Sequence, residues 1–224
     1  MQAVIGFDVY GTLVDPLGIT NELRPLVGAL ADRFAELWRE KQLEYSFRRA
    51  LMRHYQPFTI CTRQALVYTE RRLGLSLAEN ARERLMDRYR ALGAFPDAEP
   101  GLTAIRRLGS RMFAFSNGTA EAVRTVLESA GLMSFFDGIE SCDSVRSFKP
   151  DPAVYAHFLE RAGAAADHAW LVSSNPFDII GAASSGLRTA WVKRGQAAFD
   201  PWDIEPEVTI ANLEELASNP IFRE

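Results

Sequence analysis

Cysteine is scarce in this chain. Two occur in 224 residues, Cys61 and Cys142, far apart and in no metal-like spacing. That argues against a disulfide framework and suits a reducing compartment, most simply the cytoplasm. The three histidines, His54, His157 and His168, have no partners that a sequence can show and receive no role. No apolar run reaches the roughly 18 residues of a membrane span. The N-terminus lacks the basic stretch and cleavage site of a signal peptide, so no membrane partner is expected. Excess positive charge is missing too, with 25 Lys+Arg against 29 Asp+Glu and a formal net charge of −4. The arginine-rich pieces "FRRALMRHY", "ERRLG" and "ARERLMDRYR" mix acids and apolar residues at helical spacing. They read as solvated helix faces and not as nucleic-acid contacts.

What is present is an ordinary globular composition, 47% hydrophobic and 24% charged, in a length that suits a core domain with an insertion. "AVIGFDVYG" reads as a short buried strand ending in a turn. Residues 17–96 then read as helix almost throughout, with apolar residues at three- and four-residue steps from "LRPLVGAL" to "RHY". Two further helices follow, over "TRQALVYTERRLG" and "SLAENARERLMDRYRAL", with Gly74 ending the first and Ser76 or its followers starting the second. The four tryptophans read as packing residues. After "FPDAEPG", helix and strand patterns alternate to the end. Such alternation predicts an α/β fold, a doubly wound, Rossmann-like parallel sheet. The expected division is a core of residues 1–16 and 97–224 and a helical cap of 17–96.

In such sheets ligands bind beyond the carboxyl ends of the strands, and four groups of chemically useful residues fall there. They are Asp8 with Tyr10, Gly11 and Thr12; Ser116-Asn117-Gly118; Lys149 in "FKPDPAVY"; and Ser173-Ser174-Asn175-Pro176-Phe177-Asp178. A carboxylate, a cation, small hydrogen-bonding groups and a second carboxylate can together support covalent catalysis by a carboxylate nucleophile.

The four segments, in this order, resemble the haloacid dehalogenase superfamily over the whole chain. The superfamily's phosphatases carry an aspartate where this chain has Tyr10, because a departing alkoxide needs a proton. Halide leaves as a weak base and needs none, so an aromatic residue can stand there. The same phosphatases place a Mg²⁺-binding aspartate where this chain has Ser174. Losing that anion weakens a site for a hard dication, so no metal and no other cofactor is expected. The segment "ELWREKQLEYSFRRALMRHYQPF" closely resembles the cap helix of the type II L-2-haloacid dehalogenases.

That resemblance implies a role for each residue. Asp8 attacks the halogen-bearing carbon of a small 2-haloacid with inversion and forms an ester, with Thr12 orienting its carboxylate. Ser116 and the main chain around Val9, Tyr10 and Asn117 hold the substrate carboxylate. Arg39, Asn117 and the edge of Phe177 receive the halide ion. Tyr10, Leu43, Phe58 and Phe177 line an apolar pocket. Lys149 offsets the negative charge and pairs with Asp178, braced by Tyr155. Lys149, Asp178, Ser173 and Asn175 are the candidates to activate the water that hydrolyses the ester. A homodimer is implied as well. The competing readings are a Mg²⁺-dependent phosphatase of the same fold and a binding protein without turnover.

Overall fold

The computed structural model describes residues 3–219. Its frame is one six-stranded parallel sheet in the order β3-β2-β1-β4-β5-β6. The strands are β1 (Val4–Phe7), β2 (Arg111–Ser116), β3 (Gly138–Ser141), β4 (Ala169–Ser173), β5 (Arg188–Val192) and β6 (Val208–Ile210). β1 lies at the centre and pairs with both β2 and β4. The chain winds outward from β1 through β2 to β3, then returns across the centre to β4. The order therefore reverses beside β1, which opens a crevice at the carboxyl ends of β1, β2 and β4. All four residues of β1 are buried, as a strand covered on both faces requires.

Helices α5 (Ala98–Arg107), α6 (Ala120–Ser129), α7 (Pro152–Ala162) and α8 (Pro176–Ser184) alternate with the strands as far as β5, and α9 (Glu214–Ser218) follows β6, which β5 reaches through a loop. α7 shows the local logic. Asp151 caps it by accepting from the Ala153 amide, Pro152 fills its first turn, and Gly163 closes it at φ 60°. Each group satisfies an otherwise orphaned helix end or relieves a left-handed one.

Between β1 and α5 come four helices: α1 (Thr20–Val27), α2 (Ala31–Leu51), α3 (Phe58–Arg72) and α4 (Glu79–Tyr89). The sequence suggested near-continuous helix from the "LRPLV" segment to the end of α2. The structure breaks it at Gly28, where φ is +58°. α4 starts at Glu79, among the residues that follow Ser76, and Ala78 precedes it without a side-chain cap. Gly74 closes α3 as expected, at φ 68°. Along α2 the buried residues Ala31, Phe34, Ala35, Trp38, Gln42 and Ser46 recur at helical steps. Trp38 ties this face to α3 by donating to the Thr62 carbonyl at 2.8 Å.

Three tryptophans, Trp38, Trp170 and Trp191, are buried, but Trp202 is 63% exposed. The packing role expected for all four fails there, because Trp202 lies in an irregular loop between β5 and β6. Cys61 and Cys142 are free, buried thiols. Among the described residues no helix is long and apolar enough to cross a membrane.

Candidate active site

The chain leaves β1 at Phe7 and coils back at once. The amides of Leu13 and Val14 both donate to the Val9 carbonyl, and Gly11 takes φ +97°. Only glycine adopts that angle cheaply, and a Cβ there would lie 3.3 Å from the Ser174 hydroxyl. The coil brings Thr12 over Asp8. Thr12 Oγ1 donates to Asp8 Oδ2 at 2.9 Å, and Asn175 Nδ2 donates to the same oxygen at 2.8 Å. Asp8 Oδ1 has one longer contact, 3.3 Å from Lys149 Nζ. The carboxylate is buried, so one of its oxygens is tied down and the other keeps free lone pairs.

Lys149 enters from the loop before α7, its amide donating to Asn117 Oδ1 at 2.8 Å. Its ammonium makes three contacts: Asp8 Oδ1, the Phe115 carbonyl at 2.9 Å and Asp178 Oδ2 at 2.8 Å. Nζ also lies 4.2 Å from the centre of the Phe115 ring. Burial works against this charge, but Asp178 and Asp8 outweigh it and hold the ammonium above the usual lysine range. Asp178 shifts upward as well, through burial first and the charge of Asp8 after it, with Lys149 opposing. Two carboxylates share one cation in a dry site.

Tyr155 braces this group differently from the expectation. Its hydroxyl donates to Asp178 Oδ1 at 2.8 Å, and Lys149 is steadied only through Asp178. Gly181 makes room for the contact, since a Cβ there would come within 2.5 Å of the Tyr155 oxygen.

Ser116 and Ser173 end the two strands beside β1 and behave alike. Ser116 Oγ accepts from the Gly118 amide and Ser173 Oγ from the Asn175 amide, each at 3.1 Å. Neither hydroxyl donates to another described residue, so each keeps a proton to offer.

The helical segment covers the crevice. Arg39 Nη2 donates to the Tyr10 carbonyl at 3.0 Å, and Phe47 packs edge-on against Phe177 at 5.0 Å. Arg39, Leu43 and Phe47 follow at four-residue steps, so half-buried Leu43 lies on the same α2 face between two contacts with the core. Tyr10 and Val9 are buried, and the Tyr10 ring stands 6.4 Å from Phe58 and 5.9 Å from Tyr89, stacked on the latter. Burial, then Tyr89, raises the Tyr10 phenol far above its ordinary value. Tyr10 is a neutral wall. A small cavity lies between this wall, Phe58, Thr62, Met86, Tyr89 and Gly118.

The same donors decide whether a hard dication fits. The Lys149 ammonium stands against both carboxylates, Thr12 and Asn175 occupy Asp8 Oδ2, and Ser174 Oγ donates to the Gly11 carbonyl at 2.7 Å. A magnesium ion needs near-octahedral oxygen ligands, and this set offers an ammonium in their place. The residues do not fit the metal.

Sequence reasoning passed over three residues. Tyr89 donates to Gln42 Oε1 at 2.8 Å while stacking on Tyr10. Both lie on helices whose buried face reads as ordinary core, so no local pattern sets them apart. Arg194, beyond β5, reaches the Thr12 carbonyl and Asp97; its partners are remote in sequence.

The family model for haloacid dehalogenase-like hydrolases matches residues 2–186. The chain is 35% identical to haloacetate dehalogenase H-2 of Moraxella sp. (strain B), over 92% of each protein. It is 34% identical to the (S)-2-haloacid dehalogenase of Pseudomonas fluorescens, over 95% of this chain and 93% of that one. The L-2-haloacid dehalogenase of Xanthobacter autotrophicus with chloropropionic acid covalently bound superposes with a TM-score of 0.90 at 30% identity, covering 97% of this chain and 98% of that one.

Proposed function

This chain belongs to the haloacid dehalogenase-like hydrolases, and within that family we propose that it hydrolyses short L-2-haloalkanoic acids to 2-hydroxy acids without a metal. The observation that carries the reading is the asymmetry of Asp8: Oδ2 takes two short hydrogen bonds and Oδ1 is left with one contact of 3.3 Å. A carboxylate held at one oxygen and open at the other is arranged to attack.

Asp8 Oδ1 displaces the halide from C2 with inversion, and the new C–O bond makes an ester. Arg39 and Asn117, beside Phe177, take the halide as it leaves. Ser116 offers its free proton to the substrate carboxylate, aided by the main chain at Val9, Tyr10 and Asn117. Tyr10, Leu43 and Phe58 exclude water from the attack. Water then adds to the Asp8 acyl carbon and passes a proton to Asp178, whose proton affinity burial and the charge of Asp8 raise. The acyl C–O bond breaks, the departing alkoxide takes the proton from Asp178, and the second proton of the water is lost to solvent, which restores Asp8 as the carboxylate. Lys149 offsets charge in both steps, Thr12 and Asn175 orient Asp8, and Tyr155 and Ser173 hold Asp178 and the Asn175 loop.

We read residues 17–96 as a cap on a core of 1–16 and 97–224. The two connections run side by side, the Phe95 amide donating to the Leu13 carbonyl and the Asp15 amide to Gly93, each at 2.9 Å. A cytoplasmic setting suits the two free thiols. A homodimer is consistent with the open groove on the cap lined by Tyr45, Val67 and Tyr68.

Chloride release from L- and D-2-chloropropionate in excess EDTA tests the function. Release from the L form alone is the expected result. Release from neither, with Mg²⁺-dependent cleavage of an aryl phosphate instead, overturns the reading in favour of the phosphatase.

A further inference from the structure

We propose that Arg194 is a positioning residue that sets the Asp8 carboxylate and the two cap connections through the main chain of Thr12. Arg194 stands two residues beyond β5, on a loop with no part in the chemistry described above. Its Nη1 lies 2.7 Å from both carboxylate oxygens of Asp97, which follows the second connection. Its Nη2 donates to the Thr12 carbonyl, at the start of the first connection, at 2.5 Å. The guanidinium also lies 4.1 Å over the ring of Phe95. One cation thus holds both cap connections, and Asp97 Oδ2 anchors the assembly by accepting from the Leu213 amide at 2.7 Å.

The link to chemistry is one residue long. The carbonyl that Arg194 grips belongs to the residue whose hydroxyl holds Asp8 Oδ2 and receives the Ser174 amide at 2.8 Å. A shift of the Thr12 main chain carries its hydroxyl with it and turns the carboxylate. The buried Nε of Arg194 has no hydrogen-bond partner among the described residues. The guanidinium therefore sits where Asp97 and Thr12 require it, at the expense of its own third donor edge. A planar fork can grip a carboxylate with one nitrogen and a carbonyl with another; a lysine ammonium at the same place cannot reproduce both directions.

The kinetic half of this proposal rests on Asp8 being the nucleophile, and the structural half does not. The test compares the wild type with Arg194→Gln and Arg194→Lys by steady-state halide release and by amide hydrogen exchange. For Arg194→Gln, kcat should fall at least tenfold with KM changed less than about threefold, as misplacement of a reacting group predicts. The amides of Asp15 and Phe95 should exchange faster while those of Trp170 and Leu171 in β4 stay protected. Arg194→Lys should regain part of the amide protection and little of kcat. Should Arg194→Gln fail to fold, Arg194→Lys carries both measurements. A lowered melting temperature with unchanged kcat and unchanged exchange at Asp15 and Phe95 would make Arg194 a stability contact only and overturn the proposal. A wild type that releases no halide removes the proposed function, and the exchange comparison still decides whether Arg194 holds the two cap connections together.

Discussion

Lys149 and Asp178 form an ion pair of 2.8 Å between side chains that are 1% and 0% exposed. Breaking such a pair from one side strands a charge in a dry interior, at a cost of about 3–5 kcal/mol. Lys149→Met should therefore lower stability to denaturant by about that amount and reduce halide release at least a hundredfold, since a preorganised charge is lost. Lys149→Met combined with Asp178→Asn should recover much of the stability and none of the activity. A double variant no more stable than Lys149→Met would mean that the pair is not coupled.

The same pair sets the pH response. Burial and the nearby charge of Asp8 raise the Asp178 carboxyl. Its base form is lost as pH falls through that raised value, so the acid limb of kcat should lie above the usual carboxylate value of about 4. Lys149 is shifted upward too, so its ammonium survives past the usual lysine range and contributes no alkaline limb near neutrality. A kcat profile that stays flat down to the ordinary carboxylate range would remove Asp178 as the base.

Much of this site is legible in the chain because strand ends announce themselves. Asp8, Ser116 and Ser173 each close an apolar run, and a doubly wound sheet can only gather such ends at one edge. Arg39 is legible through the segment around it. The role of Tyr155 is not. Sequence places it near Lys149, while the contact it makes is with Asp178, which only the crossing of α7 and α8 decides. Gln42 and Tyr89 stay hidden because a polar residue on a buried helix face carries no mark of its partner. Arg194 is hidden by distance: its two partners are Thr12 and Asp97. The break at Gly28 was missed because three- and four-residue periodicity continues across it.

Arg39 offers a sharper test of the halide assignment. Its guanidinium donates to the Tyr10 carbonyl at 3.0 Å and also acts on the Tyr89 phenol, which leaves part of its five-donor fork for an anion. Arg39→Ala should cut halide release about a hundredfold or more, in line with losing one preorganised donor group. Arg39→Lys should restore only part of it, because a point charge lacks the planar fork. Inhibition by added iodide should weaken in both variants. Normal rates in Arg39→Ala would assign the halide to other groups.

The two-oxygen asymmetry of Asp8 fixes where isotope must go. Oδ1 becomes the ester oxygen, and the later break lies between that oxygen and the acyl carbon, so the hydroxyl of the first product comes from the protein. With enzyme in excess over L-2-chloropropionate in H₂¹⁸O, the lactate formed should carry ordinary oxygen and the label should appear in the peptide containing Asp8. With substrate in excess, later turnovers should deliver label to the product, because Asp8 has by then taken it from water. Direct attack of water on C2 predicts the reverse, labelled lactate from the first turnover and an unlabelled Asp8. The experiment therefore separates a nucleophilic Asp8 from a general base at the same position. Thr12→Val, which removes one of the two bonds on Oδ2, should slow the appearance of label without changing its destination.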